Sequence, residues 1–151
     1  MPIRPASPDD SREILEIRNH PLIRAASSNT ASFSFKEHDQ WFKDQYFNPQ
    51  KNNKCFVLQT EQDGIIGYCR YDFDAQSERF IVSIALDPAH QGQGHGHRLL
   101  FESLALLLPA VTVHAEVKKD NVPSLKLFLK NHFVIYNEDD VNVYLIHSHK
   151  H

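Results

Sequence analysis

The sequence predicts one α/β domain of the α+β kind, in which helices flank a mixed central sheet. Its 151 residues suit a single domain with its own core, and no internal repeat or low-complexity linker divides them. The clearest unit is residues 80–86, a β-branched and aromatic run followed by a glycine-rich turn and a leucine-rich amphipathic segment. We expect the domain to span residues 1–146, with a mobile His-rich tail at 147–151.

The first elements are a short strand at residues 3–6 and two helices. Residues 7–10, with their serine, proline and two aspartates, form a capping stretch that begins the first helix. The polar segment 25–34 separates this helix from the second, which is predicted over about residues 36–47. A polar loop between two helices often shapes a pocket.

Three strands then form a meander. Residues 55–59 and 65–71 are rich in β-branched and aromatic side chains, and Asp63-Gly64 between them is a hairpin turn signal. The run at 80–86 follows as the third strand and is closed by the Asp87-Pro88 break.

A helix, a strand, a helix and a final pair of strands complete the predicted order. The helix after the glycines has leucines at helical spacing and is expected to end at Pro109. A strand at 111–117 precedes a helix from Asn121 to about residue 131. The last two strands are predicted at 134–136 and 141–146.

The composition favours a small molecule as the partner. The formal net charge is −3 without a cluster of lysines and arginines, which argues against nucleic acid or a membrane surface. Cys55 and Cys69 are the only thiols, and no signal peptide or transmembrane run is recognisable, so we expect a reduced, cytoplasmic protein. A disulfide between the two remains open. The ten histidines predict adventitious metal binding and no catalytic metal.

The glycine-rich turn holds three of the five glycines, in the order Gln91-Gly92-Gln93-Gly94-His95-Gly96. Glycines between a strand and a helix let the backbone approach a ligand, and the helix N-terminus adds partial positive charge. A phosphate or pyrophosphate is therefore the expected guest. No lysine follows Gly96, which argues against a P-loop nucleoside triphosphatase, and the glycine spacing differs from the Rossmann fingerprint.

This turn resembles the acyl-CoA-binding signature Q/R-x-x-G-x-G/A of the GCN5-related N-acetyltransferase (GNAT) family. The segment from Asn121 to Phe133 is similar to the family's second signature, N-x-x-S/A-x-x-L-Y-x-x-x-G-F. The resemblance implies the single-domain GNAT fold and acetyl-CoA as cosubstrate, inserted between two splayed parallel strands. It implies that the following residues contact the coenzyme, the first two through their backbone: Ile84, Leu86, Gln91, Gly92, Gln93, Gly94, His95, Gly96, His97, Asn121, Ser124 and Phe128.

Acetyl transfer from a thioester to an amine needs a neutral amine, a donor for the oxyanion and a proton for the leaving thiolate. The resemblance assigns the oxyanion to a backbone N–H near Leu86. It also places Phe128 where many family members have a tyrosine acid, and His132 where they have glycine, so Tyr136 and His132 are the candidate substitutes for the acid. We take Tyr136 and the base Glu78 as the catalytic candidates. The base candidates left open are Asp72, Asp74, Glu78, His20 and His38.

The N-terminal third adds a second resemblance. Residues 18–24 and 35–42 are similar to the R-N-x-x-x-V/I-R and E-H-x-x-W-F patterns of acetyltransferases that modify amino groups on nucleotide-linked sugars. This likeness implies an aminodeoxy sugar on UDP or a related nucleotide as substrate, with arginines at the diphosphate. The implied substrate-binding residues are Asn19, Arg24, His38 and Trp41. In the alternative interpretation, Trp41 and Phe42 only pack the helix onto the sheet and the arginines are solvated.

The sequence therefore predicts an acetyl-CoA-dependent N-acetyltransferase that acts by direct attack of a primary amine in a ternary complex. Within this class an antibiotic, a polyamine or a protein N-terminus remain alternatives to the amino-sugar nucleotide. A non-catalytic acyl-CoA-binding or sensing module is the alternative from another class, and Phe128 is its main support. A monomer or a homodimer is expected.

Overall fold

Seven strands form one mixed sheet in the computed structural model, which describes residues 3–27, 30–107 and 112–148. The strands are β1 Ile3–Pro5, β2 Lys54–Thr60, β3 Gly64–Asp74, β4 Arg79–Leu86, β5 Thr112–Lys118, β6 Val134–Glu138 and β7 Asn142–Ser148. The helices are α1 Ser11–Arg18, α2 Pro21–Ala26, α3 Phe35–Tyr46, α4 His95–Leu106 and α5 Val122–Lys130, with short 3₁₀ turns at Pro8–Asp10 and Pro88–His90.

The strand order across the sheet is β1-β2-β3-β4-β5-β7-β6. All neighbouring pairs are antiparallel except β4 and β5, which are parallel. This architecture confirms the predicted fold class, including the meander and the final strand pair. The predicted strand at 141–146 continues to Ser148, so His147 and Ser148 belong to β7, and residues 149–151 of the predicted tail lie outside the described residues. The predicted strand start at 111 and helix end at Pro109 also lie outside them.

Helix α2 is the one described α-helix that the sequence did not predict. It occupies Pro21–Ala26, with Pro21 at its first position, and the His20 side chain caps it by accepting from the Leu22 N–H at 3.2 Å. A proline at the first turn needs no N–H partner and already has the helical φ. Six residues are too few for a 3.6-residue apolar period to be recognised.

Two apolar clusters cover the two faces of the sheet. On one face, Leu99 and Leu100 of α4 and Phe128 of α5 are buried against the strands. On the other, Ile14 of α1 and Phe42 of α3 are buried against β2, β3 and β4. Because side chains alternate along a strand, β2, β3 and β4 contribute buried residues to both clusters.

The same alternation decides the disulfide question. Cys55 of β2 is buried in the α1 and α3 cluster, whereas Cys69 of β3 is buried in the α4 and α5 cluster. Their side chains lie on opposite faces of the sheet, so they cannot form a bond without a change of register. Both cysteines are free. Within the described residues, no helix has the length and apolar character needed to cross a membrane.

The parallel pair β4 and β5 separates soon after it begins. The two strands are paired at only two positions, Phe80 with Val113 and Ile81 with His114. Strand β4 continues for five more residues along β3, up to the pair of Leu86 with Gly67. The part of β4 beyond Ile81 therefore has a neighbour on one side only among the described strands, and this opening locates the site.

His132 occupies the left-handed region at the end of α5, with φ of 68°. It follows the C-cap Asn131, and the next residue, Phe133, donates its N–H to the Phe128 carbonyl at 3.0 Å. Glycine is the usual residue at this position of a helix end because it has no Cβ. The family signature accordingly has glycine here, and histidine is less stable than glycine in this left-handed conformation.

We expect His132→Gly to raise the free energy of unfolding by about 1 kcal/mol, since the left-handed conformation costs a residue with a Cβ roughly that much. His132 is exposed, so little contact is lost. Urea unfolding measures the effect, and His132→Ala is the matched control that keeps the Cβ and should show no gain. Equal stability of the wild type and His132→Gly would contradict the prediction.

Candidate active site

The free edge of β4 presents backbone groups to the opening. Asp87 donates its N–H to the Ile66 carbonyl of β3 at 2.8 Å. In an antiparallel pair, alternate residues direct their N–H and C=O groups to opposite edges. Val82, Ile84 and Leu86 therefore point theirs away from β3, toward the gap beside β5. This is the backbone edge that the sequence assigned to Ile84 and Leu86.

A cleft of about 710 Å³ lies in this gap, a volume in the range of small-molecule sites. Its walls are the free edge of β4, the glycine-rich turn, the start of α5 and, on the opposite side, α1, α2 and the loop before α3. An extended ligand arm in the cleft would find backbone N–H and C=O groups along β4, as an added strand would. The Leu86 carbonyl is the exception, since it accepts from Gln91 Nε2 at 3.2 Å.

The glycine-rich turn lines one end of the cleft. Gly92 and Gly94 have φ of 78° and 84°, in the left-handed region, and a Cβ at either would meet no atom within 4 Å. Gly94 is the N-cap of α4, a helix of twelve residues. The first N–H groups of α4 and the turn backbone are therefore available to an anion, which the helix dipole also attracts. These features fit the pyrophosphate of an acyl-CoA.

The predicted coenzyme residues divide into those that line the cleft and those that do not. Gln93 and His95, the two residues between the glycines, do not line the cleft. Asn121 caps α5 by accepting from the Ser124 N–H at 3.4 Å. The predicted residues that do line the cleft are Ile84, Leu86, Gln91, Gly92, Gly94, Gly96, His97, Asn121, Ser124 and Phe128.

Phe128 has no hydroxyl, and its ring is part of the core. It is 3 % exposed, and its ring centroid lies 4.9 Å from that of Phe133 in an edge-on arrangement. The position that carries a tyrosine in many relatives therefore contributes packing here. A proton for the leaving group must come from another residue or from water.

One half of the cleft, which we call the acceptor half, lies on the α1 and α3 face of the sheet. Val113, Ala115 and Val117 of β5 are buried on the α4 side, so Glu116 points to the other face. By the same alternation, Ser83 of β4 shares that face. Tyr68 and Arg70 of β3 line the same half.

Glu116 is the only carboxylate among the described residues that line the cleft. Its Oε1 accepts a hydrogen bond from Asn142 Nδ2 at 2.8 Å. The sequence analysis did not select it. The available signal was that Glu116 is the single acidic residue of strand β5.

Arg18 at the end of α1 enters the cleft from the helical side. Its guanidinium lies between two rings, 3.8 Å from the Phe33 centroid and 4.1 Å from the Trp41 centroid, and donates to His38 Nδ1 at 3.1 Å. Burial lowers the pKa of Arg18. No carboxylate forms an ion pair with it among residues 3–27, 30–107 and 112–148, so its charge is available to an anionic ligand.

The four predicted substrate residues lie behind Arg18 and Phe33 instead of lining the cleft. Asn19 bonds the Phe33 backbone twice, at 2.7 and 2.9 Å. Arg24 donates to the Asn19 carbonyl at 3.1 Å. In this structure both side chains bond the backbone, and both lie outside the cleft lining. Their direct contact with a substrate stays a prediction.

His38 and Trp41 hold the cleft arginines. His38 is fully buried, with 0 % exposure, and its ring stacks on Phe42 at 5.7 Å. Trp41 faces the guanidinium of Arg18 at 4.1 Å and that of Arg70 at 5.3 Å. Both residues were predicted to touch the substrate, and the structure gives them a supporting position instead, one helical turn apart on α3.

His38 gives the fold a dependence on pH. Burial, helped by the neighbouring Arg18 charge, lowers the pKa of His38 from 6.5 to about 4. Between these values the unfolded chain takes up a proton that the folded chain refuses, so we expect stability to fall as the pH is lowered from 6.5 toward 4. His38 accounts for a loss of up to about 3 kcal/mol in the free energy of unfolding over this pH range.

Urea unfolding at several pH values measures this loss. His38→Gln has no imidazole to titrate and should show a shallower decline over the same pH range. Because His114 also has a lowered pKa, the difference between the two proteins is the quantity to compare. Identical pH dependence in wild type and His38→Gln would contradict the assignment.

The structure does not bring Glu78 to the cleft. It is exposed in the turn between β3 and β4, with φ of 53°, at the opposite end of β4 from the glycine-rich turn. Asp74, the last residue of β3, precedes the same turn and accepts from the Gln76 N–H. Asp72 is bonded by Tyr46 Oη at 2.6 Å and by Arg70 at 2.5 Å. His20 caps α2. None of these base candidates lines the cleft.

Tyr136 lies in β6, beyond the cleft, and its hydroxyl is 3.0 Å from His114 Nδ1. Arg79 Nη1 is 3.0 Å from His114 Nε2. Arginine can only donate, so Nε2 accepts and Nδ1 carries the proton. The Tyr136 hydroxyl then accepts from His114, and its own hydrogen is directed elsewhere.

The open edge of β4, the left-handed glycines at the start of α4 and the two-sided cleft define an acyl-CoA-dependent acyltransferase. The sequence model of the acetyltransferase (GNAT) family matches residues 20–133. Two relatives named acetyltransferase PseH, from two strains of Campylobacter jejuni subsp. jejuni, are each 32 % identical over 130 residues, covering 83 % of this chain and 78 % of theirs. The chain belongs to the GNAT family.

Solved structures share the fold. Spermidine N-acetyltransferase from Vibrio cholerae, in complex with CoA and spermine, superposes with a TM-score of 0.81 at 18 % identity over 98 % of this chain and 95 % of that one. A phosphinothricin acetyltransferase from Sinorhizobium meliloti, in complex with AcCoA, has a TM-score of 0.79 at 19 % identity over 97 % and 87 %. This protein is an acetyl-CoA-dependent N-acetyltransferase.

Proposed function

We propose that the acceptor is the primary amine of an amino-sugar nucleotide. The observation that carries this proposal is the half-buried, ring-stacked Arg18, which faces the acceptor half of the cleft without a carboxylate partner among the described residues. A diphosphate supplies the negative partner that this positively charged guanidinium lacks. The resemblance of residues 18–24 and 35–42 to acetyltransferases of nucleotide-linked sugars supports the same class.

A polyamine fits this half of the cleft less well. Arg18 and Arg70 both line it, and although Arg70 is paired with Asp72, Arg18 is not paired with any described carboxylate. A polycationic acceptor would bring further positive charge beside Arg18, which is unfavourable in a partly desolvated site.

The coenzyme side orients the thioester. The glycine-rich turn and the start of α4 hold the pyrophosphate, and the free edge of β4 pairs with the pantetheine arm. Backbone N–H groups of Val82, Ile84 and Leu86 point into the gap, where one of them can donate to the thioester carbonyl as negative charge develops on its oxygen. These donors are held by the β3 ladder and need no reorganisation.

The acceptor side supplies the base. Glu116 accepts the amine proton, directly or through a water molecule, and the neutral amine attacks the thioester carbonyl. The new C–N bond forms and the C–S bond breaks, with the electron pair leaving on sulfur. A thiolate is a weak base and needs little acid assistance. Tyr68, whose phenol keeps its proton because burial raises its pKa, is the cleft residue that replaces the missing tyrosine at 128.

A panel of acceptors tests the proposal. The protein is incubated with acetyl-CoA and, in separate reactions, a UDP-linked amino sugar, the corresponding free amino sugar, and spermidine, and thiol release is measured. We expect efficient release with the nucleotide-linked amine only. Preference for spermidine or for the free sugar would reject the nucleotide, and acetyl-CoA binding without release for any amine would favour a sensing module.

Arg18→Ala is expected to raise the KM for the nucleotide-linked amine about 100-fold, because roughly one pair of charge-assisted hydrogen bonds to the diphosphate is lost. The KM for acetyl-CoA should be unchanged, because Arg18 lies on the acceptor side. Arg12→Ala is the matched control, since Arg12 also belongs to α1 and lies over an aromatic ring, Phe35, at 4.0 Å, but does not line the cleft. An unchanged acceptor KM in Arg18→Ala would contradict a diphosphate site there.

The two free, buried thiols and the net charge of −3 support a reducing cytoplasmic setting and partners other than nucleic acid or membrane.

A further inference from the structure

Two lysines of α5, Lys126 and Lys130, line the cleft. They are four residues apart, so they project from one face of the helix. Both side chains are exposed, and in the part of the chain that the structure describes neither forms an ion pair with a carboxylate. Two positive charges are therefore available to a ligand in the cleft.

The part of α5 that carries these lysines packs against the first turn of α4. Asn131 Nδ2, just past the end of α5, lies 3.1 Å from His97 Nδ1. A Cβ at Gly96 would come within 3.5 Å of the Leu127 side chain. The first turn of α4 and the glycine-rich turn before it are the anion site of the cleft, so the two lysines stand at the pyrophosphate end of the coenzyme.

The pyrophosphate already has partners in the glycine-rich turn and the N-terminus of α4. Two further cations beside it fit a further anionic group of the same ligand. Coenzyme A carries one, a phosphate monoester on the 3′-oxygen of its adenosine, with a charge of about −1.5 to −2 near neutral pH. Glu116, the only carboxylate among the described residues that line the cleft, lies in the acceptor half and leaves the lysines to the ligand.

We propose that Lys126 and Lys130 bind the 3′-phosphate of the coenzyme and thereby select acetyl-CoA over its 3′-dephospho form. An ammonium group is a compact charge on a flexible stem, which suits a phosphate at the rim of an open cleft. The thioester and the pantetheine arm are the same in both forms, so these lysines set coenzyme specificity and take no part in the transfer step. The inference concerns the coenzyme and does not depend on the proposed acceptor.

Isothermal titration calorimetry of the full chain with acetyl-CoA and with 3′-dephospho-acetyl-CoA tests the proposal. We expect the wild type to bind acetyl-CoA about 100-fold more tightly at low ionic strength, where exposed charges are least screened. Lys126→Ala and Lys130→Ala should each reduce this ratio about 10-fold, because each removes one charge-assisted contact. In the double variant the ratio should approach one, while the affinity for the dephospho form keeps its wild-type value.

Lys119→Ala is the matched control. Lys119 is also exposed and lies between β5 and α5, but it does not line the cleft, so the same charge is removed without a contact and the ratio should stay at its wild-type value. A wild-type ratio near one would overturn the proposal. Equal weakening of both ligands by the α5 variants would overturn it as well, because the lysines would then contact the pyrophosphate. An equal effect of Lys119→Ala would refute a direct contact.

The α5 variants should fold like the wild type, because both side chains are exposed, and thermal unfolding verifies this. The titration uses no acceptor. A negative result therefore leaves the proposed amino-sugar nucleotide standing, and failure of that acceptor to release thiol leaves the role of the two lysines standing.

Discussion

Gly94→Val is expected to reduce acetyl-CoA affinity by at least about 100-fold, equivalent to roughly 3 kcal/mol of binding free energy. Space is open around the position of a Cβ at Gly94, and that residue lines the cleft. A branched side chain would occupy the volume in which the backbone meets the pyrophosphate. It would also strain the turn, because φ is 84° and β-branched residues avoid the left-handed region.

Calorimetric titration with acetyl-CoA measures this loss, and thermal unfolding shows that the variant is folded. Gly64→Val is the matched control. Gly64 has φ of 71° and begins β3, away from the cleft, and a Cβ there would also meet Glu13 Oε2 at 2.7 Å. The destabilisation should therefore be at least as large as in Gly94→Val, while the coenzyme site is intact. We expect reduced stability in both variants but lost affinity only in Gly94→Val. Wild-type affinity in Gly94→Val would refute the assignment of the glycine-rich turn.

Glu116→Gln is expected to lower kcat by 100-fold to 1,000-fold, roughly the contribution of a positioned general base. The amide keeps the size of the side chain, and its oxygen can still accept from Asn142. The KM for acetyl-CoA should be unchanged, because Glu116 lies on the acceptor face.

Glu78→Gln is the control for this substitution. Glu78 is the base that the sequence favoured, and it is exposed in a turn outside the cleft. The kcat of Glu78→Gln should therefore equal that of the wild type. A large loss of kcat in Glu78→Gln, or a wild-type kcat in Glu116→Gln, would contradict the assignment of the base. Acetyl-CoA titration of both variants separates a catalytic effect from a loss of folding.

The sequence alone determined the features that depend on neighbouring residues. The strand at 80–86, the glycine-rich turn and the start of α4 follow from local patterns, since glycines at a strand-to-helix junction have few other uses. The structure confirmed this unit and the predicted order of the strands along the chain. The same local patterns missed α2, because a six-residue helix contains less than two turns of apolar period.

Only the tertiary structure decided which polar side chains line the cleft. Asn19, Arg24, His38 and Trp41, which the resemblance of residues 18–24 and 35–42 selected, lie beside Arg18 and Phe33 and do not line it. Glu116 and Ser83 are 33 positions apart in the chain and face the same gap because β4 and β5 separate after Ile81. Such contacts depend on strand register and helix docking, which are set by packing over the whole sheet and not by the local sequence.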